Sequence, residues 1–194
     1  MGQHRENQVR QVLRQVQRLI KTIWFRLQGW LSGKPRQRSF YQRQTPFSWV
    51  IPGRLAVGGL PQAEDHPRLV AANIKVVLSL CAEIEGCLPE KIIQDFNCLR
   101  FIVPDRYYTT QLEVHQLAKA VEIVHQSVQN QLPIYVHCLA GIERSPTVCL
   151  AYLCLYQNLE LWEALNWLKQ VHPSTMPNES QLRTLREFLQ VRQN

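Results

Sequence analysis

The 194-residue sequence predicts an α/β protein: a central, mostly parallel sheet flanked by helices, with an added amphipathic helix at the N-terminus. Three observations carry this. From residue 46 onward, short β-branched and aromatic runs alternate with longer helical ones, which requires crossover connections and therefore parallel strands. Before that point the charge balance is different: residues 1–43 hold ten Lys/Arg against one acid, Glu6, whereas the rest holds 12 basic and 14 acidic side chains. Finally, a buried-type strand runs into a short loop that begins with a cysteine, ends with an arginine and opens directly into an apolar helix.

The arm comes first in the chain. Val9, Val12, Leu13, Val16, Leu19, Ile20, Ile23, Trp24, Leu27, Trp30 and Leu31 recur at three- and four-residue steps, the period of one apolar helical face. Arg10, Arg14, Arg18 and Lys21 form a neighbouring basic ridge. A helix over 9–31 would be about 35 Å long, and its two faces suit an anionic membrane surface. Packing on the body, or on a second copy, is the competing expectation, and Phe25, off the stripe, leans towards it. Glu6 stands where a myristoylation signal needs a hydroxyl residue, so a lipid anchor is not expected. Residues 33–46 are rich in breakers and charge and read as a linker. The expected division is therefore an arm and linker over 1–45 and a globular domain over 46–194.

Within that domain, strands are expected at about 48–51, 54–58, 75–80, 98–103 and 133–137. Helices are expected at about 62–72, 88–96, 111–130, 144–157, 160–171 and 179–192. At 45% hydrophobic residues, such a body can bury one core. The six cysteines contain no Cys-x-x-Cys pair, which argues against a zinc site. With no secretory apolar segment and no bilayer-spanning run, reduced thiols in the cytoplasm are the expectation. A near-neutral body makes nucleic acid an unlikely partner, although the basic arm keeps an RNA 5′-phosphatase in view.

In parallel sheets, ligands bind beyond the carboxyl ends of strands. The run Ile134-Tyr135-Val136 ends there in His137-Cys138-Leu139-Ala140-Gly141-Ile142-Glu143-Arg144-Ser145-Pro146. Loop N–H groups together with a helix N-terminus attract an anion, and the same field favours a thiolate at Cys138. Arg144 can fork onto two phosphate oxygens, Ser145 can hydrogen-bond the sulfur, and Pro146 suits a first helical turn. Gly141 permits backbone that side chains would obstruct.

His137-Cys138-x-x-Gly141-x-x-Arg144-Ser145 resembles the phosphate loop of the cysteine-based protein phosphatases, the dual-specificity/protein-tyrosine phosphatase superfamily. The similarity extends over about 46–194: Phe47-x-Trp49, Leu55-Ala56-Val57-Gly58-Gly59 and Pro61 resemble the opening hairpin of dual-specificity domains. The resemblance implies the cysteine-phosphatase fold. It also implies hydrolysis of phosphotyrosine, phosphoserine or phosphothreonine on proteins through a cysteinyl-phosphate, with no metal or organic cofactor. Cys138 is the implied nucleophile, Arg144 the oxyanion clamp and Ser145 the aid to sulfur departure. His137, Leu139, Ala140, Gly141, Ile142 and Glu143 would form the substrate-binding loop. An inactive module that only reads phosphate is the alternative that an intact Cys138 and Arg144 disfavour.

Asp105, in Phe101-Ile102-Val103-Pro104-Asp105-Arg106, lies 33 residues before Cys138. In spacing and position it is similar to the general acid of the dual-specificity group; a turn-capping role and the rival Glu113 stay open. Phosphoinositide-selective relatives tend to place lysines where this loop has Leu139, Ile142 and Glu143, so phosphoprotein is favoured over phosphoinositide. Leu80-Cys81-Ala82-Glu83 resembles a lipid phosphatase of the superfamily whose cysteine can pair with the nucleophile; a plain core role for Cys81 is equally open. Cys149, Cys154, Trp162 and Trp167 read as packing. His115, His125 and His172 pair into no metal site, and Tyr107 and Tyr108 either line the pocket mouth or sit in a loop.

Overall fold

The structure, a computed structural model, describes residues 47–105 and 111–193. The expected helix over 9–31, the linker, and Tyr107 and Tyr108 lie outside the described residues. The chain runs β1 (Phe47–Ile51), β2 (Leu55–Gly58), a 3-10 turn (Ala63–Asp65), α1 (His66–Ala71) and β3 (Val76–Ser79). A second 3-10 turn (Glu83–Glu85), α2 (Glu90–Asp95), β4 (Asn97–Arg100), α3 (Val114–Gln129) and β5 (Ile134–His137) follow. Three helices close the chain: α4 (Arg144–Tyr156), α5 (Leu161–Val171) and α6 (Glu179–Gln193).

The sheet order is β1-β2-β5-β3-β4. β1 is antiparallel to β2 and all other pairs are parallel, as the strand–helix alternation predicts. Register decides where chemistry can occur. Gly58 and Ser79 both pair with His137, and Ser79 also pairs with Arg100. The residues that follow these four leave the sheet at one common edge, and Cys138 is among them.

Both faces of the sheet are covered, which explains why the central strands are apolar throughout. Side chains alternate between faces with period two. Ala56, Val77 and Tyr135 join Leu69, Ile92 and Phe96 in a smaller cluster. Leu55, Val57, Val76, Leu78, Ile134 and Val136 point the other way, into the larger cluster with α3–α6. α4 is buried along its first ten residues because it runs through this larger layer.

Two expectations change. β4 ends at Arg100; residues 101–105 carry on as extended chain without a ladder, although Phe101 and Val103 still donate to the carbonyls of Ser79 and Leu80. Trp162 is not a packing residue: it is 62% exposed, while Trp167 is buried and donates to the Val50 carbonyl at 2.9 Å. Five residues turn a helix through about 140° beyond one full turn, so the two indoles cannot share a face. Cys149 is fully buried and Cys154 packs against the larger cluster, as expected.

Candidate active site

The loop Cys138–Glu143 curls between β5 and α4, and β2 shapes it. Cys138 N–H donates to the Gly58 carbonyl at 3.3 Å and Leu60 N–H donates to the Leu139 carbonyl at 3.1 Å. Tyr135 donates its hydroxyl to the Gly59 carbonyl. Gly141 has φ +73°, and a Cβ there would sit 2.5 Å from the Gly58 carbonyl carbon. Both the left-handed backbone and the close approach to β2 require glycine.

Two donors converge on the Cys138 sulfur: Gly141 N–H and the Ser145 hydroxyl, each at 3.3 Å. Ser145 Oγ also lies 3.0 Å from the Gly58 carbonyl, so its single proton is shared between sulfur and carbonyl. His137 is fully buried, and its Nε2 has no hydrogen-bond partner among the described residues. Burial, with the charges of Arg100 and Arg144 adding to it, lowers its pKa to about 4, against the opposing hydrogen bond to the Cys138 carbonyl. The ring therefore stays neutral at physiological pH and orients the strand end rather than shuttling protons.

Arg144 heads α4 with its side chain 2% exposed, and it is held by a residue that the sequence reading overlooked. Glu85, in the second 3-10 turn, accepts both guanidinium arms, at 2.7 Å from Nη2 and 3.0 Å from Nη1. Its Oε2 also accepts Ala82 N–H at 2.7 Å. Burial alone would push the Glu85 carboxyl up, but the Arg144 and Ala82 hydrogen bonds and the arginine charge outweigh it and hold it low. Burial likewise works against the charge on Arg144, and the Glu85 hydrogen bonds hold its pKa above the ordinary value. The guanidinium stays charged and aimed. The one sequence signal for Glu85 is the three-residue spacing from Ala82, the spacing of a carboxylate that caps a turn; the ion pair itself spans 59 residues and leaves no local trace.

Asp105 reaches the same guanidinium: its carboxylate is 2.7 Å from Arg144 Nη2, and the Val103 carbonyl accepts Nη1 at 3.3 Å. The residue that the resemblance singled out by spacing and position thus stands at the loop. Glu113 does not. It precedes α3, exposed, with His115 Nδ1 at 3.0 Å. Glu143, expected to face incoming anions beside Arg144, accepts Asn178 Nδ2 at 3.2 Å at the start of α6. Cys81 is fully buried; burial above all raises its thiol to about 12, with the nearby charges of Arg144 and Cys138 acting in opposite directions. The cysteines are free thiols, and the core role fits Cys81 better than a reactive one. Among the described residues no His, Cys, Asp and Glu group could hold a metal ion.

A thiol under two donors, a clamped guanidinium and a carboxylate gather at the carboxyl edge of a parallel sheet, an arrangement chemically suited to binding a phosphate and attacking it from sulfur. The catalytic-domain profile of the dual specificity phosphatases matches residues 56–191, and the chain belongs to that family. Relatives include phosphatidylglycerophosphate phosphatase PTPMT2 of Arabidopsis thaliana, 27% identical over 76% of this chain and 66% of that protein. Dual specificity protein phosphatase Mpk3 of Drosophila melanogaster is 31% identical over 72% of this chain and 33% of its own length. Dual specificity protein phosphatase 22-B of Danio rerio is 31% identical over 72% of each chain. This chain spans one third to two thirds of the length of several such relatives. The crystal structure of PTPMT1 in complex with PI(5)P superposes with a TM-score of 0.67, at 25% identity over 76% of this chain and 97% of that one.

Proposed function

We propose that the protein hydrolyses phosphate monoesters on proteins, phosphotyrosine first and phosphoserine or phosphothreonine as well, through a cysteinyl-phosphate on Cys138. The Cys138 thiolate attacks phosphorus in line while Arg144 and the loop N–H groups hold the equatorial oxygens. The P–O ester bond breaks, and Asp105 gives its proton to the departing alcohol or phenol. Water then attacks phosphorus, its proton passes to Asp105, and the S–P bond breaks towards a sulfur that Ser145 hydrogen-bonds. The observation that carries this reading is the convergence of Gly141 N–H and Ser145 on the sulfur, beside an Arg144 that also touches Asp105.

Between the motif residues, Leu139, Ala140, Ile142 and Glu143 offer no cation for a second phosphate, which favours substrates bearing one. Cys138→Ser is expected to abolish turnover of an aryl phosphate while inorganic phosphate still binds. Near-wild-type activity in that variant would overturn the assignment.

A second reading, a phospholipid monoester at a membrane surface, has its own support. Leu139 in the loop and Ile84, Ile102 and Met176 on segments bordering it are all exposed, Ile84 at 91%. The chain is also similar to phosphatidylglycerophosphate phosphatases. A panel of phosphotyrosine peptide, phosphoserine peptide, phosphatidylglycerophosphate and phosphoinositide, the lipids in vesicles, decides between the two: a kcat/KM at least tenfold higher on a lipid would replace the protein reading. We propose a cytoplasmic protein whose arm over 9–31 contacts an anionic membrane, with packing on the body or on a second copy as the competing outcome. Full-length protein should sediment with anionic vesicles at low salt, and a chain starting at residue 45 should not.

A further inference from the structure

The phosphate loop is gripped from outside as well as shaped from within. In a trans peptide the carbonyl and the following N–H point in opposite directions. Any group that holds a loop carbonyl from outside therefore aims the next N–H inward, at the anion. Leu60 N–H holds the Leu139 carbonyl at 3.1 Å and Met176 N–H holds the Ile142 carbonyl at 2.8 Å, which serves the N–H groups of Ala140 and Glu143. Between them, the Gly141 carbonyl is held not by backbone but by the side chain of His172, whose Nε2 lies 2.7 Å away.

His172 is built for this task. It sits just past the end of α5, buried. Its own N–H reaches Leu168 at 2.7 Å, and Thr175 donates twice to its carbonyl. Ser48 Oγ in β1 lies 3.1 Å from Nδ1. A donor to Gly141 needs its proton on Nε2, so Nδ1 must accept from the Ser48 hydroxyl, and that bond selects the tautomer. Ser174 Oγ, 2.9 Å from Nε2, shares the same proton. Burial lowers the pKa of His172, against the bond to Gly141, and the neutral ring keeps its one donor. The peptide it grips needs a grip: Gly141 lacks a side chain to brace it, and a rotated carbonyl would turn its negative end on the phosphate.

We infer that His172, oriented by Ser48, is a positioning residue of the phosphate loop, fixing the Gly141–Ile142 peptide so that Ile142 N–H serves the substrate phosphate. This rests on the reading of Cys138–Arg144 as the phosphate site. A buried histidine that merely satisfies itself on a carbonyl would stabilise the fold without tuning anion affinity, and that difference is measurable.

The experiment compares full-length wild type with His172→Phe, His172→Gln and Ser48→Ala, reading kcat and KM on an aryl phosphate, the inhibition constant of inorganic phosphate, and Tm. His172→Phe should weaken phosphate inhibition and kcat/KM together by about tenfold, the scale of one lost hydrogen bond. His172→Gln, whose amide nitrogen can stand where Nε2 stood, should recover most of both. Ser48→Ala should fall between them with little change in Tm. Wild-type phosphate inhibition is the control: its absence would remove the phosphate-site reading itself, separately from any role of His172. The inference is overturned if His172→Phe keeps the wild-type inhibition constant, or if His172→Gln is as impaired as His172→Phe. Should His172→Phe fail to fold, Ser48→Ala decides alone, and unchanged phosphate inhibition in it would overturn the inference.

Discussion

The loop Cys138–Arg144 and the segment Phe101–Asp105 leave the same edge of the sheet, from strands on either side of β3, yet they are held in different ways. The loop is pinned by β2, by His172 and by Met176. The acid segment has two backbone bonds to the end of β3; beyond them, Val103 and Asp105 meet Arg144. On the proposed mechanism the attacking sulfur is held by the fold's own donors, whereas Asp105 touches the guanidinium that a substrate phosphate would also meet. The first side of this contrast is fixed and the second is shared.

The sharpest way to break this contrast is to disturb the fixed side. Gly141→Val puts a side chain against the Gly58 backbone and forces a left-handed φ. It is expected to lower kcat by about 10²–10³-fold, the cost of losing preorganised donors, with a lower Tm. A variant that keeps its rate would show that the loop tolerates distortion. On the shared side, Asp105→Asn should cost about 10²–10⁴-fold on alkyl phosphates and far less on aryl phosphates with good leaving groups. Equal losses on both would remove the acid role.

Glu85 joins the two regions, because it holds Arg144 for both. Glu85→Ala should lower kcat/KM by about 10–100-fold, as expected for hydrogen bonds between charged groups, with no dependence on leaving group. A leaving-group dependence like that of Asp105→Asn would mean that Glu85 acts through the acid instead. The last of these predictions concerns pH. The folded pKa of His137 lies near 4, below the unfolded value of about 6.5, so the unfolded chain binds more protons between the two. Stability is then fully present above pH ~6.5 and is lost by up to about 1.4 kcal/mol per pH unit as pH falls towards 4. Thermal melts across that range should show the decline, and His137→Asn should flatten it.

What the sequence disclosed follows the reach of each interaction. The five strands and the loop were legible because periodicity, breakers and a fixed-spacing motif are local; Asp105 was legible only through its resemblance to the general-acid segment of the family. Glu85 and His172 were not. Each acts on the loop across a long gap, 59 residues for Glu85–Arg144 and 31 for His172–Gly141, and nothing near either residue marks the pairing. His172 was noticed only as a histidine with no metal partner. Trp162 shows the reverse error, since apolar residues in a helical stretch were grouped by composition when their five-residue spacing placed them on different faces.

The bond from Ser145 to the Gly58 carbonyl spans 87 residues, and that from Tyr135 to Gly59 spans 76. Closing such loops costs entropy before the contacts they permit can repay it, which makes long-range pairings slow to form. The β1–β2 hairpin leaves the ribosome before β5 and α4 and must wait for them before it can shape the phosphate loop. Recovery of activity after dilution from denaturant should therefore follow the slowest global refolding phase, rather than the faster appearance of helix in α3–α6, so that turnover itself reports when the last part of the sheet has assembled.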